Sequence, residues 1–580
     1  LTSWQVRHDI ALVAVTIPDS EGDSGQWWAV GEGQGEASRR FVMGLKAPME
    51  EVGFSLIDPG NDDHRAVIDG SSSNVEDLIS RARRLGAGVL IHGTLKPSLE
   101  TVVADSEAYE LILEGDVEVL LTDQDKPDPK VIPMRQMVGA ADRQDAIRLA
   151  ANAVADFYFD EVAAAIMSMP EVDRLFDKAT RTPEQAKVAV ELKPARNMTQ
   201  LYFDALRERD AQIAAFEKDW KEQDAGDVPI QRLSPFGRED YLVGVLPNGE
   251  GVVATVKMRR LYWQRRQLRL TSVWLPERLD IIGRQREQSL LYETYNIYGV
   301  PARPSRDGGQ IGLITDDHGD RLSLRGLTRK PGGVTEEVKL LHSIPNGIMT
   351  APLVSPDGVK IAFLHRTCKR CNNTLNLISA SGDDTPQTIY KDHNWGVGYA
   401  LWVGPRHDTI AYVAWGPDRD RKVLMKDLKT NTETVLHRNN KETGNTINES
   451  FSPDGSKVVF VRGGNGATRQ LVVRDIASGE ETVLVENVFI KRPAISFDNR
   501  WVAFEATGRA SPRDRYRRDY EIAVVPIDGG EMRYLTVNDL KDRHLQWAPD
   551  RLDIYFETVI EKPLKTEDYW VVIRTLTFTP

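Results

Sequence analysis

The first third of the chain mixes two hydrophobic periods. Ile10-Ala-Leu-Val-Ala-Val15 is continuously apolar and predicts a buried strand, whereas Ser38–Val52 places its apolar residues at helical spacing. Phe54–Ile57 predicts a strand, Val75–Leu85 a helix and Gly88–Gly93 a third strand. Tyr109–Leu121 alternates at period two, Val131–Val138 reads as its neighbour, and Asp142–Met169 reads as one long helix. The order β-α-β-α-β-β-β-α predicts a small mixed sheet carrying helices over residues 9–168. Residues 169–228 are charged and contain Pro170, Pro183 and Pro194; Leu201, Ala205, Leu206, Ile213, Phe216 and Trp220 partly follow helical spacing. This segment reads as a helical connector.

Beyond residue 228 the pattern changes to short apolar strands punctuated by turns, and one turn recurs. Val354-Ser-Pro-Asp-Gly-Val-Lys-Ile-Ala-Phe363 aligns without a gap with Val403–Tyr412 and Phe451–Phe460. Weaker copies are Ser496–Phe504, Ala548–Phe556 and Ser305–Leu313. The proline-equivalent positions Arg306, Pro356, Pro405, Pro453, Phe497 and Pro549 follow one another at 44 to 52 residues. Proline presets the first turn angle, aspartate bonds the backbone two residues on, and glycine accepts positive φ. Pro356-Asp357-Gly358, Pro453-Asp454-Gly455 and Pro549-Asp550 are therefore structural turn residues. A period of this length with about four strands per copy is the size of one propeller blade. Six copies fit a six-bladed β-propeller over 229–580, so the expected fold class is a small α/β sandwich followed by an all-β propeller. Strand-like runs within 230–303 complete a blade or make a seventh.

An α/β domain followed by Ser-Pro-Asp-Gly repeats, seen at Ser355–Gly358 and Ser452–Gly455, resembles the TolB family of the Tol-Pal system. Gly86-Ala-Gly-Val-Leu-Ile-His-Gly93 is similar to the strand after the second helix of that family's first domain. The connector and the insertions are longer than the family pattern. The resemblance implies a periplasmic, non-enzymatic hub. It would bind envelope proteins, such as peptidoglycan-associated lipoprotein or inner-membrane Tol partners, through its N-terminal segment and propeller mouth. It implies a docking arm at 1–8, with Leu1, Thr2, Ser3 and Trp4 as contacts. The alternative is a structural subunit of a larger envelope complex that reuses the fold.

Composition narrows the classes. The 580 residues carry 74 Lys and Arg against 86 Asp and Glu, a net charge of −12, which argues against nucleic acid as a partner. No apolar run reaches the roughly 18 residues of a membrane span. The chain starts at Leu1 and not at Met, which fits either a cleaved secretory signal or trimming of a disordered start; the periplasmic location is what the resemblance implies.

Little in the sequence points to chemistry. Gly31-Glu-Gly-Gln-Gly35 lacks the spacing of a dinucleotide fingerprint and reads as a loop. Cys368 and Cys371, the only cysteines, have the spacing of a loop-stapling disulfide, half a zinc site or a redox pair. Asp62-Asp63-His64 and Asp316-Asp317-His318 read as solvated loops, because neighbours on an extended chain point apart. Lys257–Arg269 and Arg509–Arg518 are basic clusters suited to exposed faces or a partner surface. There is no Gly-x-Ser-x-Gly elbow and no room after the repeats for a hydrolase domain. A catalytic reading would need a polar cluster at the ring's mouth, which the repeats do not display. The expectation is a non-enzyme with no cofactor and no metal. His365, His393, Trp395, Tyr399 and His407 are its candidate partner-binding residues, because aromatic and imidazole groups at a ring's mouth anchor proteins.

Overall fold

The computed structural model describes residues 9–18, 36–51, 55–57, 74–169 (except 104–107, 124–127 and 141–142) and 207–220. It also describes 228–580 except 257, 265–266, 273–277, 286–287, 294–303, 317–320, 330–334, 346–347, 367–370, 393–394, 417–420, 440–445, 464–468, 508–519 and 565–566. The chain divides into two compact units, Leu1–Ala211 and Gln212–Pro580.

The first unit holds a five-stranded sheet of β1 (Asp9–Thr16), β2 (Ser55–Leu56), β3 (Val89–Val103), β4 (Ala108–Leu121) and β5 (Lys130–Ala140). Its order is β2-β1-β3-β4-β5, parallel across β2, β1 and β3 and antiparallel thereafter. The helices are α1 (Glu36–Glu51), α2 (Val75–Arg84), α3 (Arg143–Phe157) and α4 (Phe159–Met167). Asn74 caps α2 by accepting from the Glu76 N–H at 3.0 Å, and Leu78, Ile79 and Ala82 pack on Leu12, Ala14, Leu90 and Leu120. Ala11, Val13 and Val15 on the other face of β1 are also buried, which explains the unbroken apolar run. The helix expected as one span over 142–169 is two, because Tyr158 leaves helical geometry at φ −100°, ψ 9°.

The boundary between the units falls within a helix at 207–219 (α5), whose Ile213 and Phe216, with the following Trp220, pack on Phe236, Ile560, Trp570 and Val572 of the second unit. Short β6 (Ile230–Arg232) follows. Seven sheet units then succeed one another among the described residues. Sheet unit 1 is β7 (Glu239–Val245), β8 (Gly251–Val256), β11 (Arg278–Ile282) and β12 (Gln288–Glu293), with the hairpin β9 (Met258–Gln264) and β10 (Gln267–Ser272) inserted. Sheet unit 2 is β13 (Gln310–Asp316), β14 (Arg321–Arg329) and β15 (Thr335–Pro345). Sheet unit 3 is β16 (Ile348–Val354), β17 (Lys360–Arg366), β18 (Thr374–Ser379) and β19 (Gln387–Tyr390). Sheet unit 4 is β20 (Gly396–Trp402), β21 (Thr409–Trp415), β22 (Arg421–Asp427) and β23 (Glu433–Asn439).

Sheet unit 5 is β24 (Thr446–Phe451), β25 (Lys457–Arg462), β26 (Arg469–Asp475) and β27 (Glu481–Val488). Sheet unit 6 is β28 (Ile490–Ile495), β29 (Trp501–Thr507), β30 (Tyr520–Pro526) and β31 (Arg533–Tyr534). Sheet unit 7 is β32 (Lys541–Trp547), β33 (Asp553–Leu564) and β34 (Glu567–Thr577), completed by β6, which pairs antiparallel with β34 at Arg232↔Arg574 and Ile230↔Leu576. Each unit is antiparallel within itself, and units 1 and 7 join into one eight-stranded sheet through a parallel pairing of β7 with β34 at Glu239↔Val571.

The six-copy count is one short. Leu246-Pro-Asn-Gly-Glu-Gly251 joins β7 to β8 as the repeat turn joins the first two strands elsewhere, with Gly249 at φ 82°. Consecutive units are tied together. Arg306 N donates to Pro356 O at 2.8 Å, Trp402 Nε1 to Leu353 O at 3.0 Å and Arg421 Nη2 to Glu449 at 2.8 Å. Arg469 Nη1 donates to Ile490 O at 2.9 Å and Trp547 Nε1 to Ala494 O at 3.0 Å. The Tyr555 hydroxyl of unit 7 donates to Gly249 O of unit 1.

Candidate functional site

The repeat turns carry a side-chain lock. Ser305, Ser355, Ser452 and Ser496 are each at most 2% exposed. Their hydroxyls donate to Asp307, Asp357, Asp454 and Asp498 at 2.5–2.7 Å. The same oxygens accept the N–H groups of Gln310, Lys360, Lys457 and Trp501 at 2.8–3.0 Å. The chain then turns through positive φ at Gly308, Gly358 and Gly455, or at Asn499 in unit 6. Asp357 is also bonded by His407 Nδ1 at 2.6 Å. Burial opposes ionisation of Asp357, but bonds from His407, Ser355 and the Val359 N–H outweigh it and hold the carboxyl below its ordinary value.

Five of the seven turns converge on one cavity of about 580 Å³, lined by Pro247, Arg306, Asp307, Pro356, Asp357, Phe497, Pro549 and Asp550. The sequence reading placed Pro356, Asp357, Pro549 and Asp550 in structural turns; the fold also brings them to a common mouth. Ser305, Ser355 and Ser496 lock three of these five turns and hold Asp307 and Asp357 in place, whereas Leu246 and Ala548 stand at the serine position in the other two and Asp550 is bonded by Arg551.

A second constellation lies on the first two strands of units 6 and 7, where β28 and β32 each carry a bulge, at Lys491/Ala494 and Arg543/Gln546. At the bulges Arg492 and His544 adopt φ 42° and 54°. Opposite them on the second strands stand Glu505 and Glu557, both 1% exposed. Glu505 accepts from Arg492 Nη1 at 3.2 and 3.3 Å and from the His544 N–H at 2.7 Å. Glu557 accepts from Arg543 Nε at 3.1 Å, His544 Nδ1 at 2.8 Å and the Leu242 N–H of unit 1 at 3.1 Å. Beside it the Tyr241 hydroxyl donates to Glu239 at 2.6 Å. Burial and the Glu239 carboxylate hold the Tyr241 phenol well above its ordinary value, with Arg543 opposing them.

Sequence reasoning missed this cluster, although its signal was one residue past the repeat. Glu505 and Glu557 follow the turn positions Phe497 and Pro549 by eight residues, where the other copies carry Thr255, Ile314, Leu364, Val413 and Val461. A carboxylate in an otherwise apolar strand needs a partner.

The remaining candidates scatter. His365 lies on β17 with its ring 6.4 Å from that of His342, and burial holds its pKa below the ordinary value. The Tyr399 hydroxyl is tied to Glu449 and accepts from Arg421 at 2.6 Å. Lys422 Nζ lies 4.0 Å from the centroid of the Trp395 ring, which packs against Gly416 so closely that a Cβ there would approach it to 2.6 Å. Cys371 is disulfide-bonded, and Cys368 is the only other cysteine of the sequence. Leu1, Thr2, Ser3 and Trp4, and with them the arm at 1–8, lie outside the described residues, as do His393, Cys368, Gly31–Gly35, Asp62–His64 and Arg509–Arg518. Among the described residues no cluster of His, Cys, Asp or Glu forms a metal site, and no helix is long and apolar enough to cross a membrane.

No family model and no curated protein matches the sequence. Solved structures do. TolB from Acinetobacter baumannii is 13% identical over 92% of this chain and 94% of its own, with a TM-score of 0.33. An oligogalacturonate lyase in complex with manganese is 13% identical over 61% of this chain and 98% of its own, with a TM-score of 0.42. A Mycobacterium tuberculosis puromycin-hydrolyzing peptidase is 16% identical over 49% of this chain and 46% of its own, with a TM-score of 0.33. The family that the repeats resemble is thus among the similar structures, and so are enzymes. The expectation of a non-enzyme is corrected on that ground: similar structures include a lyase and peptidases, so absence of catalysis does not follow from the architecture.

Proposed function

We propose that residues 229–580 form a closed β-propeller that binds an envelope protein at the mouth built by its turns, in the periplasm. Closure is supported by the pairing of β6 with β34 and by contacts of unit 7 with unit 1, which make seven units and not six. The convergence of five turns, three of them locked by a serine, on one cavity carries the binding reading. A rigid, preorganised rim loses little conformational entropy on association. Three carboxylates with Arg306 at the rim favour a partner that presents cationic groups, for which charge complementarity sets the association rate. Peptidoglycan-associated lipoprotein and inner-membrane Tol-like proteins are the first partners to test, and subunits of a larger envelope complex the second. The arm at 1–8 is a further contact.

The test is a mild-detergent pull-down of the tagged protein from its envelope at low and high salt, with mass spectrometry. A Tol-type partner lost at high salt, and lost again on Asp550→Lys with an unchanged melting temperature, supports the reading. Salt-resistant recovery of a stoichiometric complex favours the structural subunit. Capture that is indifferent to Asp550 removes the mouth from the account.

A further inference from the structure

We propose that Arg492, Arg543 and His544, at the bulged first strands of sheet units 6 and 7, form a binding site for a carboxylate-bearing ligand. Three observations converge on this cluster. First, the fold does not need the charges. In units 3, 4 and 5 the position of Glu505 and Glu557 is Leu364, Val413 and Val461, and their first strands form the same kind of bulge, at Thr350/Leu353, Val397/Tyr399 and Ile447/Ser450, without a carboxylate opposite. A buried carboxylate costs several kcal/mol of desolvation unless it is paired. Units 6 and 7 bear that cost at positions 52 residues apart.

Second, Arg492 and His544 are held in place at the expense of backbone strain. Arg492 and His544 are also 52 residues apart, and both sit at positive φ, 42° and 54°. A non-glycine residue there carries on the order of 1–2 kcal/mol of strain, a pattern that concentrates at ligand sites. Each buried glutamate orients the cations from behind and ties one sheet unit to the next through a backbone N–H, His544 for Glu505 and Leu242 for Glu557.

Third, the cations retain accessible donors. Their side chains are 46% (Arg492), 23% (Arg543) and 34% (His544) exposed. Arg492 uses only Nη1, Arg543 only Nε and His544 only Nδ1 in bonds to the glutamates, and among the described residues these three side chains make no other hydrogen bond. Two guanidinium forks and an imidazole Nε2 remain to be filled. A planar fork pairs bidentately with a carboxylate, and two forks linked through Glu505, His544 and Glu557 suit a ligand with one or two such groups. Tyr569, 39% exposed and coupled to Glu239 and Tyr241 next to Arg543, adds an aromatic face and a hydroxyl at the edge.

The ligand is either a free small carboxylate or the C-terminal carboxylate of a peptide. Titration calorimetry on the purified full chain separates them with three probes: citrate, acetyl-tetraalanine as the free acid, and the same peptide as its amide. Binding of citrate alone assigns a small-molecule source, and binding of the free-acid peptide a chain terminus; either supports the site. Arg492→Gln and Arg543→Gln should each weaken that binding at least tenfold, with Arg492→Lys retaining part of it and melting temperatures near wild type as the folding control. Equal binding of the amide and the acid, binding indifferent to both arginines, or no binding of any probe overturns the proposal. None of these outcomes bears on the mouth, which the envelope pull-down tests.

Discussion

Sheet units 5 and 7 share an antiparallel fold and a Pro-Asp turn, and the contrast that matters lies eight residues past the turn proline. In unit 5 Val461 is fully buried and pairs across from Ile447, and the strand is apolar through Val458–Val461. In unit 7 the same position is Glu557, as buried as the valine, holding Arg543, His544 and the Leu242 N–H. The meander accommodates either solution, so the sheet does not require the carboxylate. What the exchange adds in unit 7 is a fixed set of partly exposed cations at the junction with unit 1. Structure that folding does not demand is where function is sought.

The comparison can be broken most forcefully by moving the charge without its partners. Val461→Glu puts a carboxylate where no cation waits, and is expected to cost about 4 kcal/mol in urea unfolding. A cost below about 1 kcal/mol would show that this strand position is wetter than its burial implies. The reverse change, Glu557→Leu, leaves the Leu242 N–H unpaired and the Arg543 and His544 side chains without their anchor. Because those side chains are partly exposed and rehydrate, the expected loss is smaller, about 2–3 kcal/mol. Equal or greater stability than wild type would mean that the constellation is retained at a net cost to folding, which sharpens the contrast.

A smaller effect tests the turn that the two units share in outline. Ser452→Ala removes the hydroxyl that Lys457 N donates to and leaves Asp454 without one of its donors. About 1–2 kcal/mol is expected, adding independently to Ser355→Ala in the separate turn of unit 3. The smallest expected effect is a pH slope away from both regions. Burial, aided by neighbouring His365, lowers the His342 pKa from 6.5 to about 4. The unfolded chain therefore binds the proton at a higher pH than the native one, and stability from the neutral imidazole is lost as pH falls from 6.5 toward 4. His342→Gln should flatten the difference between urea midpoints at pH 7 and pH 5; an unchanged difference would place the titration elsewhere.

What the sequence reveals and conceals follows from the range of the interactions. The turns are legible because Ser-Pro-Asp-Gly is a self-contained lock in which serine, aspartate and two backbone N–H groups lie within six residues. The first copy hides because Leu246 replaces the serine and Asn248 the aspartate, leaving only proline and glycine as signal. The break between α3 and α4 hides for a related reason: the apolar spacing runs on through Tyr158, and only backbone geometry stops the helix. The pairing of β6 with β34 joins segments more than 300 residues apart, and no local pattern announces it. The glutamate constellation is half legible. A carboxylate eight residues after the turn is visible, but that its partners come from a bulge of the same unit and from the next unit is a property of the assembled sheets.

The most direct test of the account is site-specific photo-crosslinking in the native envelope, with the crosslinker at Arg306 on the mouth or at Val483, exposed on the outer strand β27. The account predicts a discrete crosslinked envelope protein from position 306 and none from 483. Crosslinks from 483 with none from 306 would contradict it and move the binding surface to the outer edge of the sheets.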